Sequence, residues 1–302
     1  MSDALKARAA AEWPTLALLA ACYGGWVLGT TWAAELWLPM GIALTAVCVA
    51  LHASLCHEAL HGHPTGDDRV NEALVFPALA LVIPYRRFRD THLAHHRDEH
   101  LTDPYDDPES NYLDPAVWAE LPGWARWILT ANNTLAGRMV LGPLVGQVAF
   151  MRDDWRAIRA GVPGVLAAWL WHIPAAGLVL WWMAGVAAMP VWACLLAVYT
   201  GLSILKIRTF LEHRAHEKAR GRTVIIEDRG PLALIFLNNN LHVVHHMHPR
   251  TPWYRLPALY AAHKAHYLGR NDGYRFASYR EIFRKHFLRA KDPVPHPLWP
   301  EG

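Results

Sequence analysis

The sequence predicts an all-α integral membrane protein with four transmembrane helices arranged as two hairpins. Two long stretches without a single Lys or Arg predict the spans, and the placement of the basic residues around them predicts their orientation. A third observation, tight groups of histidines in the polar connections, indicates where the chemistry lies.

Composition agrees with a bilayer setting. Of the 302 residues 53% are hydrophobic and only 18% are charged, against roughly a quarter in soluble domains. The 15 tryptophans suit a chain with membrane–water interfaces. A net charge of +3, with no Lys/Arg run and no recognition motif, excludes nucleic acid as a partner. The four cysteines, Cys22, Cys48, Cys56 and Cys194, form no CxxC pair, which excludes a disulfide framework, a zinc knuckle or a cysteine-bound cluster.

The first hairpin follows from the absence of Lys and Arg between Arg8 and Arg69. Leu16–Trp32 and Leu36–Leu55 are apolar and are separated by a short segment containing Glu35. A span needs about 20 residues, so the helices are expected over 15–33 and 36–56. Glu12 and Pro14 precede the first stretch and a second span follows at once, which argues against a cleavable signal peptide. The second hairpin follows from the charge-free run Gly161–Leu205, broken near Gly185–Pro190, with spans expected over 165–184 and 190–206. A charge at the bilayer centre costs about 2.5–3.5 kcal/mol on insertion scales, and avoiding Lys and Arg in both hairpins is what that cost selects.

Neither hairpin tip carries a Lys or Arg. The positive-inside rule therefore places both termini and residues 57–164 and 207–302 in the cytoplasm, across the cytoplasmic membrane if the source is bacterial. Leu74–Ile83 is apolar but too short to span, and is read as interfacial or re-entrant. Leu129–Phe150, interrupted by Asn132, Asn133 and Arg138, is expected to be an amphipathic helix lying on the membrane. The Pro-rich tail Ala290–Gly302 is expected to be irregular. Residues 1–302 are thus read as a single membrane domain.

Most of the 19 histidines fall in a few groups. His57-Glu58-Ala59-Leu60-His61 closes the second span; His92-Leu93-Ala94-His95-His96 and His242-Val243-Val244-His245-His246 follow. At helical spacing the first, fourth and fifth positions of such a box share one face. Glu212-His213-Arg214-Ala215-His216 lies just past the last span. Every group falls on the side predicted to be cytoplasmic, a coincidence not used in finding them. Imidazole suits iron, zinc, copper and nickel. The eight box histidines, nine with His213, exceed what one ion takes, and two metals with about four nitrogens each are the natural count. The expected fold is therefore four spans with a cytoplasmic helical cap carrying a histidine-rich di-metal site. His63, His100, His216 and His248 lie near a box but outside its spacing, while His52, His172, His263, His266, His286 and His296 read as satisfied core residues.

The order HxxxH, HxxHH, HxxHH, interleaved with two hairpins, resembles the membrane fatty acid desaturase superfamily. The resemblance runs from the second span to about residue 250. It implies two iron ions, with O2 as co-substrate, held by His57, His61, His92, His95, His96, His242, His245 and His246, with His213 matching a further ligand after the last span. Acids or amides orient metal-bound imidazoles; the candidates are Glu58, Asp103, Asp106, Asp107, Glu212 and Asn238. The implied reaction is oxidation of C–H bonds on a lipid or fatty-acyl substrate, first of all desaturation. The alternative is hydroxylation of a lipid, carotenoid, alkane or small metabolite. Both begin with hydrogen abstraction, and they differ in whether hydroxyl is returned or a second hydrogen leaves. With no haem or iron–sulfur carrier in the chain, electrons are expected from a separate ferredoxin- or rubredoxin-like donor with its reductase.

Two other readings compete. His57–His61 also fits HExxH, the zinc protease signature with Glu58 as base, but that leaves the second and third boxes without purpose. A membrane metal-binding or transport protein would place polar groups in mid-membrane, whereas here the spans are nearly free of them.

Overall fold

The computed structural model describes residues 11–96 and 98–299. Lys6 and Arg8, which the orientation argument uses, and the end of the tail at Pro300–Gly302 lie outside the described residues. The main elements are α1 (Trp13–Thr30), prolonged after one residue by Trp32–Leu36, then α2 (Leu38–Leu60), α3 (Tyr85–His95), α4 (Leu135–Arg159), α5 (Val165–Gly185), α6 (Val191–Thr209) and α7 (His242–Met247). Two two-residue strands, β1 (Ile225–Ile226) and β2 (Arg275–Phe276), pair in parallel with Ile225 opposite Arg275. Shorter helical turns complete the fold, and the regular structure of the described residues is almost all helical.

Four helical stretches are long and apolar enough to cross a membrane: Trp13–Leu36, Leu38–Leu60, Val165–Gly185 and Val191–Thr209. The sequence places all four. The differences are at their ends. The second helix runs on from the expected 56 to Leu60, because the HExxH run contains no breaker until Gly62, which adopts φ +91°. The fourth continues past Lys206 to Thr209.

The chain divides into two compact units. The first takes the chain up to Arg89, Ala149–Ile204 and Pro252–Tyr254, and so contains nearly all of the spans. Its helices pack through small residues, as close approach in a bilayer requires. A Cβ added at Gly41 would meet Ala34 Cα at 2.7 Å, and one at Gly201 would meet Ala46 O at 2.7 Å. On α1 the buried positions Leu19, Cys22, Trp26 and Gly29 recur every three or four residues, one stripe facing its neighbours. The other faces carry bare apolar side chains such as Leu28, Leu170 and Ile173, the last 64% exposed. Outside a bilayer such a surface would exceed what soluble monomers expose. The two hairpin turns are joined: Met189 N donates to Thr30 O at 2.9 Å and Trp182 Nε1 to Thr30 Oγ1 at 3.0 Å. Exposed Trp32, Trp37, Trp181 and Trp192 collect around these turns, as an aromatic belt does at an interface.

Beyond Leu74, which ends the short helix Asp68–Leu74, the segment to Ile83 is non-helical and is satisfied inside this unit. Ala78 N donates to Ala175 O at 3.3 Å, and His172 Nε2 to Leu81 O at 2.8 Å. Irregular backbone at such depth requires partners of this kind. Beyond it, the guanidinium of Arg87 grips buried Asp154 with Nη2 at 2.8 Å from Oδ1, and Trp169 Nε1 donates to Asp154 Oδ2 at 2.8 Å.

The second unit takes Asp90–Val148, Leu205–Thr251 and the chain from Arg255. Its apolar core is Ile225, Leu241, Val243, Val244, Leu256, Tyr260 and Tyr267. The helix expected over Leu129–Phe150 is two helices, Gly123–Asn132 and α4, since the chain breaks at Asn133-Thr134. Thr134 Oγ1 accepts from Gly137 N at 3.0 Å, a local cap that favours a new helix start over continuation.

Candidate metal centre

Each histidine group is placed by a different local rule. The third box forms α7, whose Val243 and Val244 are drawn into the core of the second unit. With those two positions fixed inward, His242, His245 and His246 are left on the other side of the same short helix. Its start is tied to β1: Ile226 N donates to Asn240 O at 2.8 Å and Val243 N to Val224 O at 3.2 Å. The second box closes α3, with His92 and His95 in the helix and His96 still bonded in helical register, its N–H to His92 O at 3.1 Å. His213 lies beyond α6 in a non-helical stretch and pairs with Thr223 in an isolated antiparallel bridge.

Within the second unit these residues form two groups of converging ring nitrogens. In the first, His213 Nε2 stands 2.9 Å from His95 Nε2 and 3.1 Å from His242 Nε2. His246 completes it: the ligand atoms of His95, His213, His242 and His246 all lie within 4.8 Å of one another. In the second, His96 Nε2 stands 3.0 Å from His92 Nε2 and 3.1 Å from His245 Nε2. In the first unit His57 and His61 approach each other edge to face, with ring centroids 4.8 Å apart, at the end of α2.

The donor set fits metal ions. A ring nitrogen offers one hydrogen or one lone pair, yet two nitrogens address the same Nε2 of His213, and two address that of His96. Hydrogen bonding satisfies only one partner of each set. A cation among the nitrogens satisfies all of them, and nitrogens bound to one ion at about 2.0–2.1 Å stand about 3 Å apart as neighbours, the spacing observed.

The far sides of the rings are held by acceptors. His95 Nδ1 donates to buried Asp107 Oδ1 at 2.7 Å, His92 Nδ1 to Glu109 Oε1 at 2.8 Å and His242 Nδ1 to Asn239 Oδ1 at 3.0 Å. Such contacts fix the tautomer and turn the Nε2 lone pair toward a metal. Asp107 is itself held, with Oδ2 accepting from Thr102 N at 2.9 Å and Oδ1 from Glu109 N at 2.9 Å. Burial depresses His95, but Glu109 and Asp107 outweigh it, and the ring is pushed up to about 9. Burial would raise Glu109, but the rings of His95 and His92 hold it well below the usual carboxylate range. Burial and the neighbouring imidazoles hold His213 and His242 well below the ordinary histidine value, so both rings are neutral and ready to coordinate.

The remaining candidates fall as follows. Glu212 is buried and pairs with Arg208 at 3.1 Å, with His242 Nδ1 at 3.9 Å. Glu58 is buried and accepts from Trp253 N at 3.2 Å. Asp103 accepts from Tyr105 N and Asp106 N in a tight turn, and Asp106 is exposed, 3.6 Å from His100. Asn239 reaches His242. Glu109 was outside the sequence candidates; the acid-rich run Asp103–Glu109 just past the second box was the signal for it. His63 bonds Glu12 at 2.7 Å, His100 and His216 pair with acids at the surface, and His248 packs on Tyr267, all outside both groups.

The profile of the fatty acid desaturase family matches residues 30–278. The chain belongs to the fatty acid desaturase family. A β-carotene ketolase of Paracoccus sp. (strain N81106 / MBIC 01143) is 26% identical over 230 residues, covering 74% of each chain. Both findings make this an oxidoreductase of the desaturase/hydroxylase superfamily, and the four apolar helices make it an integral membrane protein.

Proposed function

We propose that the protein is an O2-dependent di-iron oxidoreductase acting on C–H bonds of a lipid or fatty-acyl substrate, with desaturation as the first reading. The observation that carries it is the twin arrangement of convergent imidazoles, each centred on one Nε2 addressed by two others, in a family member with four apolar spans. One iron takes His95, His213, His242 and His246. The other takes His92, His96 and His245 with His57 and His61, which the order of the boxes in the family assigns to the same centre. Two bound irons would supply the activation of dioxygen needed to attack an unactivated C–H bond. The chain's own part is to hold the rings at fixed spacing and to anchor them through Asp107, Glu109 and Asn239.

Glu58 argues against the zinc-protease reading, because a general base must reach water and this carboxylate is buried and bonded to backbone.

The termini and the histidine boxes lie on the cytoplasmic side, a reading supported by hairpin tips without Lys or Arg. The electron donor is a separate ferredoxin- or rubredoxin-like carrier with its reductase; none of the four cysteines belongs to a metal-holding group among the described residues. The ketolase relative favours a second reading, oxygen insertion into an apolar hydrocarbon or carotenoid.

Mass spectrometry of lipid extracts from cells with and without the gene, grown under 18O2, separates the readings. Desaturation removes two hydrogens and leaves no label in the product, whereas hydroxylation or ketone formation retains it. Purified protein with stoichiometric zinc and no iron after growth in iron-replete medium overturns both.

A further inference from the structure

Of the histidines in the two groups, His213 is the one whose backbone no helix fixes. The bridge to Thr223 holds one side, with Arg214 N donating to Arg222 O at 2.9 Å and Val224 N to Glu212 O at 3.0 Å. The other side is held by the C-terminal tail. Lys291 Nζ donates to the peptide oxygen of His213 at 3.0 Å. Asp292 accepts the phenol hydrogen of Tyr112, and the same phenol oxygen accepts from Ala215 N at 2.9 Å, two residues past His213. The tail is seated independently of these contacts. Lys291 N donates to Asn133 O at 3.1 Å, and Leu113 N and His296 N exchange backbone bonds with Val294 O and Leu113 O at 3.0 and 2.8 Å.

We propose that Lys291 and Asp292 form a clasp that positions His213 for its metal, Lys291 acting directly on the His213 carbonyl and Asp292 through Tyr112. A cation and an anion, each half-buried, converge on three residues of loop. Withdrawing charges is unfavourable unless their partners are well placed, and both side chains here have partners tied to this one peptide segment. Neither touches an imidazole. Their effect on the ring is through the φ and ψ of His213, whose Nε2 stands 2.9 and 3.1 Å from those of His95 and His242.

This inference rests on the reading of His95, His213, His242 and His246 as ligands of one ion. The test is a Co2+ titration of metal-free, full-length protein in detergent, following the visible absorption of bound cobalt, with thermal unfolding recorded alongside. Wild type is expected to take two ions per chain. Lys291→Met, Asp292→Asn and Tyr112→Phe are expected to bind one of the two 10–100-fold more weakly, the range seen when the supports of a ligand are removed, and to alter that ion's absorption band. Lys291→Arg, which keeps a cationic donor, is expected to recover most of the affinity. A general packing role would lower both affinities or the unfolding temperature without altering one band, and rescue by arginine would then not be selective for one ion. Variants that bind both ions with wild-type affinity and spectra overturn the clasp. A wild type that binds no second ion overturns the di-metal reading instead.

Discussion

Replacing Asp107 by Asn tests the outer support of the four-histidine group with almost no change of shape. The carboxylate receives three hydrogen bonds: from His95 Nδ1 at 2.7 Å, from Glu109 N at 2.9 Å and from Thr102 N at 2.9 Å. An amide cannot reproduce this set. Its oxygen serves one side, and its NH2 then faces either the Thr102 N–H or the pair His95 Nδ1–H and Glu109 N–H. A hydrogen bond to a charged group contributes about 1.5–3 kcal/mol, and each 1.4 kcal/mol is roughly tenfold in affinity. The ion held by His95 should therefore bind about 10–100-fold more weakly, in line with the general sensitivity of metal sites to the groups behind their ligands. Competition between the protein and a colorimetric chelator, run on metal-free protein in micelles, reads the affinity directly. Binding of both ions by Asp107→Asn within twofold of wild type would show that the carboxylate is ornamental and that the ring is oriented by other contacts.

Three further outcomes are expected. Glu109→Gln should reduce turnover and iron content about tenfold or more through His92, while Asp106→Asn, on an exposed residue 3.6 Å from His100, should leave both unchanged; equal effects of the two refute the assignment. His213→Ala should abolish turnover and lower iron content at equal protein level, whereas His216→Ala, whose Nδ1 faces Lys218 and whose Nε2 lies 3.6 Å from Asp272, should keep most of both. Because the metal-free His95 sits at about 9 instead of 6.5, its charged form adds stability in full below pH 6.5. That contribution is lost as pH rises toward 9. Metal binding near pH 7.5 should then expel close to one proton from this ring, and calorimetry in buffers of different ionisation enthalpy should show the release fading above pH 9.

The spans and the histidine boxes were legible because each leaves a signal in consecutive residues: no Lys or Arg for more than forty positions, or imidazoles at helical intervals. What lay outside such runs was not. Helical spacing would put Asn238 one turn before His242, but α7 begins only at His242, and Leu237 and Asn238 sit at φ +51° and +56°. Helical spacing therefore does not apply upstream of the box, and Asn239 Oδ1 accepts from His242 Nδ1. Glu109 reaches back to His92 across a turn of irregular chain, and the Asp107–Thr102 bond that shapes this turn has no periodicity to read. The tail looked irregular because it is; its Lys291 meets a carbonyl 78 residues earlier, and nothing local in the sequence encodes such a meeting.

His95 and His213 stand 118 positions apart, and both arms of the second hairpin lie between them. The four-histidine group therefore does not exist in a nascent chain until α6 has left the ribosome and the stretch after it has folded back. An ion captured there closes a loop of more than a hundred residues. The entropy of closing a loop grows only with the logarithm of its length, about 0.6 kcal/mol per doubling, so this late fastening costs little more than a local one while restraining far more chain.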